Sequence, residues 1–183
     1  MAHPNILNRE NAVFVIIDIQ EAFRSPIPDF EEIAVNSSIM ARGCQILGIP
    51  IIITEQYPKG LGNTCAEVEI PEGIQPIEKI CFSCIQSANV LEELKARNIT
   101  SLIVCGVESH ICVLKTTLEA LEKNIEVHVV ADAVSSRTTA NKQLALERMR
   151  QSGAFIVSTE IILFQLIDEA GTDAFKTISR LIK

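Results

Sequence analysis

The sequence predicts a three-layer α/β/α sandwich built on a mostly parallel, Rossmann-like sheet. Two observations carry this. Short apolar runs of strand length alternate with amphipathic stretches of helical length, an order that requires parallel strands joined by right-handed crossovers. The composition is 48% hydrophobic yet only 4% aromatic, and Ile, Val, Leu and Ala suit strands buried on both faces. A length of 183 residues accommodates one such domain, over 1–183, with a full core.

The apolar runs fall at Ala12–Ile17, Pro50–Ile53, Ser101–Cys105, Glu126–Ala131 and Ala154–Val157. After the first, Asp29 followed by Glu32 reads as an N-cap pair. It opens a helix with Phe30, Ile33, Met40, Cys44 and Leu47 on its core face and Gly48 as a left-handed stop. A second helix starts near Ser87, with Val90, Leu91 and Leu94 inward, and ends about Asn98. A third runs from about Ser109 to Lys123 with Val113, Leu114, Leu118 and Leu121 inward. A fourth spans Thr139 to Gln151 and stops before Gly153. Ser158 and Thr159 can cap a short helix, and Asp173–Ile182 closes the chain. The apolar run Ile161–Ile167 reads as core in preference to an interface. Glu55–Phe82 is the one long irregular stretch, holding Pro58, Pro71 and Pro76 with Gly60, Gly62 and Gly73. Loops of that length in a compact domain are usually functional.

The 16 basic and 23 acidic residues give a net charge of −7. No Lys/Arg run marks a groove for a phosphate backbone, so nucleic acid is not an expected partner. Met1–Glu10 lacks the apolar centre of a signal peptide, and the apolar runs are far below membrane-spanning length. The expectation is a soluble cytoplasmic protein with no membrane partner. Its six cysteines, Cys44, Cys65, Cys81, Cys84, Cys105 and Cys112, are then reduced thiols.

In an open parallel sheet the ligand crevice lies beyond the carboxyl ends of the strands. The positions there are Asp18-Ile19-Gln20, Thr54-Glu55-Gln56-Tyr57, and Gly106 through Cys112. Asp18 ends an apolar strand, where a carboxylate is costly unless paired or needed; a plain cap or turn residue is the alternative. Cys112 falls in the first turn of the third helix, where backbone N–H groups favour a thiolate; an ordinary buried thiol is the alternative. Lys79 sits in the irregular loop, where most lysines are solvated. Together the three form a carboxylate, a cation and a thiol, the set needed for nucleophilic catalysis without histidine.

Other constellations are weaker. Cys81-Phe82-Ser83-Cys84 is a CxxC without a second pair or a His cluster to complete a zinc site. His3, His110 and His128 are too scattered for a metal triad, and His128 within a strand reads as packing. No GxSxG elbow, GxGxxG or GxxxxGK[ST] occurs. No metal and no cofactor is expected.

These residues resemble the signatures of the isochorismatase-like hydrolases: Asp18-Ile19-Gln20 followed by Phe23, the lysine of Glu78-Lys79, and GVESHICV at Gly106–Val113. The resemblance covers essentially the whole chain. It is strongest to the isochorismatase-domain-containing subgroup, whose style is echoed in TEQYPKGLG at Thr54–Gly62 and VADAVSSR at Val130–Arg137. It implies a Cys112 nucleophile, Asp18 as proton carrier and Lys79 holding both charges. It also implies a non-proline cis peptide at Val107–Glu108, with the N–H groups of Glu108 and Cys112 as an oxyanion hole, and a homodimer or higher homo-oligomer. Phe23, Gln56, Tyr57, Phe82 and His110 are candidate substrate-binding residues. Two departures narrow the activity. Nicotinamidases of the family place an Asp-x-His metal pair where Gln56-Tyr57-Pro58 stands here. Isochorismatases that cleave a vinyl ether carry Gly at the position of Cys112. The expected activity is metal-independent hydrolysis of a small amide-type substrate through a thioester. The alternatives are an interaction or scaffold protein that keeps the fold with little turnover, and a redox thiol protein in which Cys84 or Cys105 resolves Cys112.

Overall fold

Strand β1 (Ala12–Ile17) is buried at every position, so an unbroken apolar run folds here as a central strand with both faces covered. The computed structural model describes residues 6–183; His3 and the first half of Met1–Glu10 lie outside the described residues. The other strands are β2 (Ile51–Gln56), β3 (Ile77–Lys79), β4 (Ser101–Val107), β5 (Glu126–Ser135) and β6 (Phe155–Val157). They form one six-stranded sheet in the order β3-β2-β1-β4-β5-β6, with every pairing parallel. Helices α1 (Phe30–Leu47), α2 (Pro58–Leu61), α3 (Ala88–Ala96), α4 (Leu114–Glu122), α5 (Thr139–Gln151), α6 (Thr159–Gln165) and α7 (Asp173–Leu181) make the crossovers and the close of the chain. The chain winds outward from the centre in both directions, so the connections leaving the paired strands β1 and β4 diverge at the topological switch point, where such sheets bind ligands.

Several elements differ from the sequence reading. Strand β3 was unforeseen: Lys79 ends a three-residue edge strand, paired through Gln56↔Lys79, and is not a loop residue. The strand predicted at Pro50–Ile53 continues to Gln56, because Thr54, Glu55 and Gln56 are buried polar residues with partners. Strand β5 runs past Ala131 to Ser135 across a register shift between Val104 and Gly106 on β4. Asp29 does occupy the N-cap position of α1, but its side chain makes no cap bond. It accepts instead from the Ser135 hydroxyl and from Lys142 Nζ at 3.2 Å.

The third helix is the largest correction. Residues Ser109–Val113 form a π-helical turn and the α-helix begins at Leu114. Its buried positions are Val113, Thr116, Thr117 and Ala120, whereas Leu114, Leu118 and Leu121 are half-buried. Small residues let this helix approach closely, and Thr116 Oγ1 accepts a 2.9 Å bond from the Cys84 N–H. In α6 the split follows the helical period: Ile162, Leu163 and Leu166 are core while Ile161 and Phe164 face outward.

The 62–70 segment is fastened. Cys65 N–H donates to Ile19 O at 2.9 Å, Thr64 gives both its N–H and hydroxyl to Glu55 Oε1, and Arg24 bridges Glu21 and Glu67. Among the described residues no helix is long and apolar enough to cross a membrane.

Candidate active site

Two tight backbone features bring β1 and β4 together at their carboxyl ends. Gly106 has φ 116° and a Cβ there would lie 2.0 Å from Ile17 O, so only glycine fits. Asp18, the residue that follows β1, has φ 54°. That left-handed conformation is one that Asp and Asn tolerate better than most residues. Its N–H donates to Thr54 O at 3.1 Å and its C=O accepts from Gln20 N at 2.8 Å.

The Asp18 carboxylate is fully buried and held at both oxygens. Thr54 Oγ1 donates to Oδ1 at 2.8 Å and Lys79 Nζ to Oδ2 at 2.7 Å. Neither side chain of the Asp18–Lys79 pair is exposed to solvent. Lys79 Nζ also reaches Gln56 Oε1 at 2.8 Å and the carbonyl oxygens of Cys81 and Phe82, each at 3.2 Å. Burial works against the ammonium, but the charges of Asp18, Cys84 and Cys112 and the bond to Asp18 outweigh it, so Lys79 titrates above its ordinary range. An ion pair this deep survives only when its remaining polar capacity is satisfied, and here it is.

Cys112 lies in the π-helical turn after β4 and is buried. Burial pushes its thiol up. The Asp18 carboxylate pushes it further, by charge and by accepting its hydrogen bond, and Lys79 only partly opposes them. This corrects the expectation of a resting thiolate: the helix terminus does not overcome burial beside a carboxylate. A thiol pushed up in this way is suited to giving its proton during attack rather than before it. Cys84 is a second buried thiol near the same groups, pushed up to about 11 by burial and by Asp18. Its sulfur lies 3.8 Å from Thr54 Oγ1.

The peptide Val107–Glu108 is cis. The Glu108 C=O accepts from Ile111 N at 3.0 Å and from Val113 N at 3.3 Å, closing the turn that carries Cys112. Its buried carboxylate takes Arg137 Nε at 2.9 and 3.1 Å and Nη2 at 2.8 Å. His110 Nδ1 stands 3.0 Å from Ser136 Oγ and 3.3 Å from Glu108 Oε2.

The remaining candidates divide. Gln56 has both ends of its amide engaged: Oε1 with Lys79, and Nε2 donating to Ile80 O at 2.6 Å. It orients the lysine instead of offering a free group. Gln20 is structural, donating to Gln56 O and Gly62 O and accepting from Gln56 N. Tyr57 and Phe82 are exposed on the segments beside Lys79, and Phe23 packs against the core. His128 stacks on Phe155 and bonds Glu126. Among the described residues no three His, Cys, Asp or Glu side chains gather as a metal site. Arg137 escaped the sequence reading as a site residue, and Thr54, named there only as a strand-end position, proves to hold Asp18. The one available signal was for Thr54, because in-register pairing of β1 with β2 sets Ile17 opposite it.

Comparison with known proteins identifies the family. Residues 12–161 match the model of the isochorismatase domain. Isochorismatase domain-containing protein 2 of Danio rerio is 41% identical over 183 residues, covering 100% of this chain and 92% of that one. Isochorismatase family protein 1B of Dictyostelium discoideum is 43% identical over 180 residues, covering 95% and 87%. A solved structure from Caenorhabditis elegans, described as the MAR1 ribonuclease, superposes with a TM-score of 0.90 at 36% identity over 96% of this chain and 91% of that one. The chain therefore belongs to the isochorismatase family of hydrolases.

Proposed function

We propose that this protein is a metal-independent cysteine hydrolase of small amide-type substrates, with Cys112, Asp18 and Lys79 as its catalytic groups. The observation that carries the reading is the wholly buried 2.7 Å Asp18–Lys79 pair set against the Cys112 thiol at the β1/β4 switch point. Asp18 takes the thiol proton as the sulfur attacks the carbonyl carbon. The N–H groups of Glu108 and Cys112 bind the developing oxyanion. Protonated Asp18 then gives its proton to the departing nitrogen as the C–N bond breaks, leaving a thioester on Cys112. Water loses a proton to Asp18 while attacking the thioester, the acid leaves, and the proton returns to sulfur. Lys79 stays charged throughout, so the pocket never carries an uncompensated carboxylate.

The test is turnover of a library of small amides, followed by ammonia or amine release. Cys112→Ala is expected to abolish every activity found; persistence of that activity would refute the nucleophile. We also propose a cytoplasmic homo-oligomer, a state that light scattering on the purified protein reads directly. RNA cleavage, suggested by the name of the nematode relative, is weighed against by the net charge of −7. RNA incubated with the protein is expected to remain intact.

A further inference from the structure

We infer that Arg137 is a positioning residue for acyl transfer, acting through Glu108 to hold the peptide that receives the oxyanion. The inference rests on the proposed chemistry at Cys112 and names a part of it that neither the motifs nor the relatives assign.

Glu108 does two things at once. Its backbone belongs to the proposed oxyanion hole and closes the turn of Cys112, while its side chain is a carboxylate only 2% exposed. An acidic group buried there is a cost that a small residue would not incur, so it needs a reason. Arg137 engages it through two nitrogens: Nε shares its N–H between both carboxylate oxygens while Nη2 stands in ion-pair contact with Oε1. Two nitrogens on one carboxylate fix orientation as well as distance. Arg137 lies two residues beyond the end of β5, in the turn that leads into α5. The ion pair thus ties the nucleophile turn after β4 to the turn after β5. Beyond the register shift between Val104 and Gly106 the ladder resumes and ends at Val107↔Ser135, so the two turns leave the sheet side by side and the ion pair ties them just past the last backbone pair. His110 adds a second tie, since its Nδ1 lies between Ser136 of the β5 turn and Glu108. Arg137 is itself more than half exposed, so replacing it opens no cavity in the core.

A structural pair and a positioning pair differ in what they do to two reactions of the same thiol. Alkylation by iodoacetamide is displacement at a saturated carbon and develops no oxyanion. Acylation by p-nitrophenyl acetate forms a tetrahedral oxyanion and releases p-nitrophenol. We expect Arg137→Gln to slow the acylation burst by about ten- to a hundredfold, the scale of an ångström-sized misplacement, and to leave Cys112 alkylation unchanged. Arg137→Lys, which keeps the charge without the fork, should fall between the two. The double variant Glu108→Gln/Arg137→Gln removes the unpaired buried charge and should regain thermal stability while acylation stays slow. Equal loss of both reactions, no loss of either, or recovery of acylation in the double variant would overturn the inference. A wild-type burst that survives Cys112→Ala would instead remove the parent reading, and this one with it.

Discussion

Replacing Asp18 by Asn should move two reactions of Cys112 in opposite directions. The side chain keeps its size and can still accept from Thr54, but the negative charge is gone. Two of the causes that raise the Cys112 thiol, the charge of Asp18 and its hydrogen bond, disappear, while the lowering by Lys79 remains. Lys79 keeps three neutral acceptors, Gln56 Oε1 at 2.8 Å and two carbonyl oxygens at 3.2 Å, while burial works against its charge without the Asp18 carboxylate to oppose it. The thiolate population below the pKa therefore rises. Each tenfold gain in thiolate is offset about threefold by weaker intrinsic nucleophilicity, so alkylation at fixed pH gains about threefold per pH unit of displacement. Acylation loses its proton carrier and should fall by about a hundredfold or more. The buried ammonium without its counter-ion costs about 3 kcal/mol of stability, so melting temperature is followed in parallel. The assay is iodoacetamide labelling at pH 8 by mass spectrometry beside p-nitrophenol release. If alkylation slows together with acylation, Asp18 is not what holds the thiol protonated and the reasoning fails.

Three further outcomes follow from particular contacts. Gly106→Ala places a methyl 2.0 Å from Ile17 O at φ 116° and should destabilise the fold by about 4 kcal/mol or more, read as a large fall in denaturation midpoint. Thr54→Val keeps the volume but removes the 2.8 Å bond to Asp18 Oδ1; a hydrogen bond to a charged group carries about 1.5–3 kcal/mol, so kcat should drop at least about tenfold in a folded protein. Glu67 is lowered from 4.5 to about 2, chiefly by the bond from Arg24. A carboxylate held down in the folded state contributes stability that is complete above pH 4.5 and lost as pH falls toward about 2. Melting temperature across that window should decline less steeply in Glu67→Gln.

The sequence displayed what neighbouring residues decide and hid what depends on distant partners. Strand β1 and the approximate span of helix α5 were legible, because a buried apolar run and a helical stretch ending before a glycine are statements about neighbouring residues. Asp18, Lys79 and Cys112 were legible as positions after strands and within family-like segments, and the geometry brings Asp18 and Lys79 into direct contact. What failed was whatever depended on a partner far along the chain. Strand β3 has only three residues and exists because β2 continues beside it. The leucines of α4 followed the helical period, yet the buried stripe is Thr116, Thr117 and Ala120, set by close approach to the turn of Cys84. Gln56 looked like a substrate group, and only the approach of Lys79 from β3 reveals it as a lysine holder. The protonation of Cys112 was misread for the same reason: burial and an adjacent carboxylate arise from tertiary structure, whereas a helix start is local.

The central claim is that Cys112 attacks a carbonyl with Asp18 carrying the proton. It is tested most directly by stopping the protein in the first second of reaction with p-nitrophenyl acetate and mapping the adduct by peptide mass spectrometry. The account predicts a single acetyl group on the peptide containing Cys112, released by hydroxylamine and absent from Cys112→Ala. Acetylation of Cys81, Cys84 or a lysine in its place, or turnover with no covalent intermediate, would contradict it.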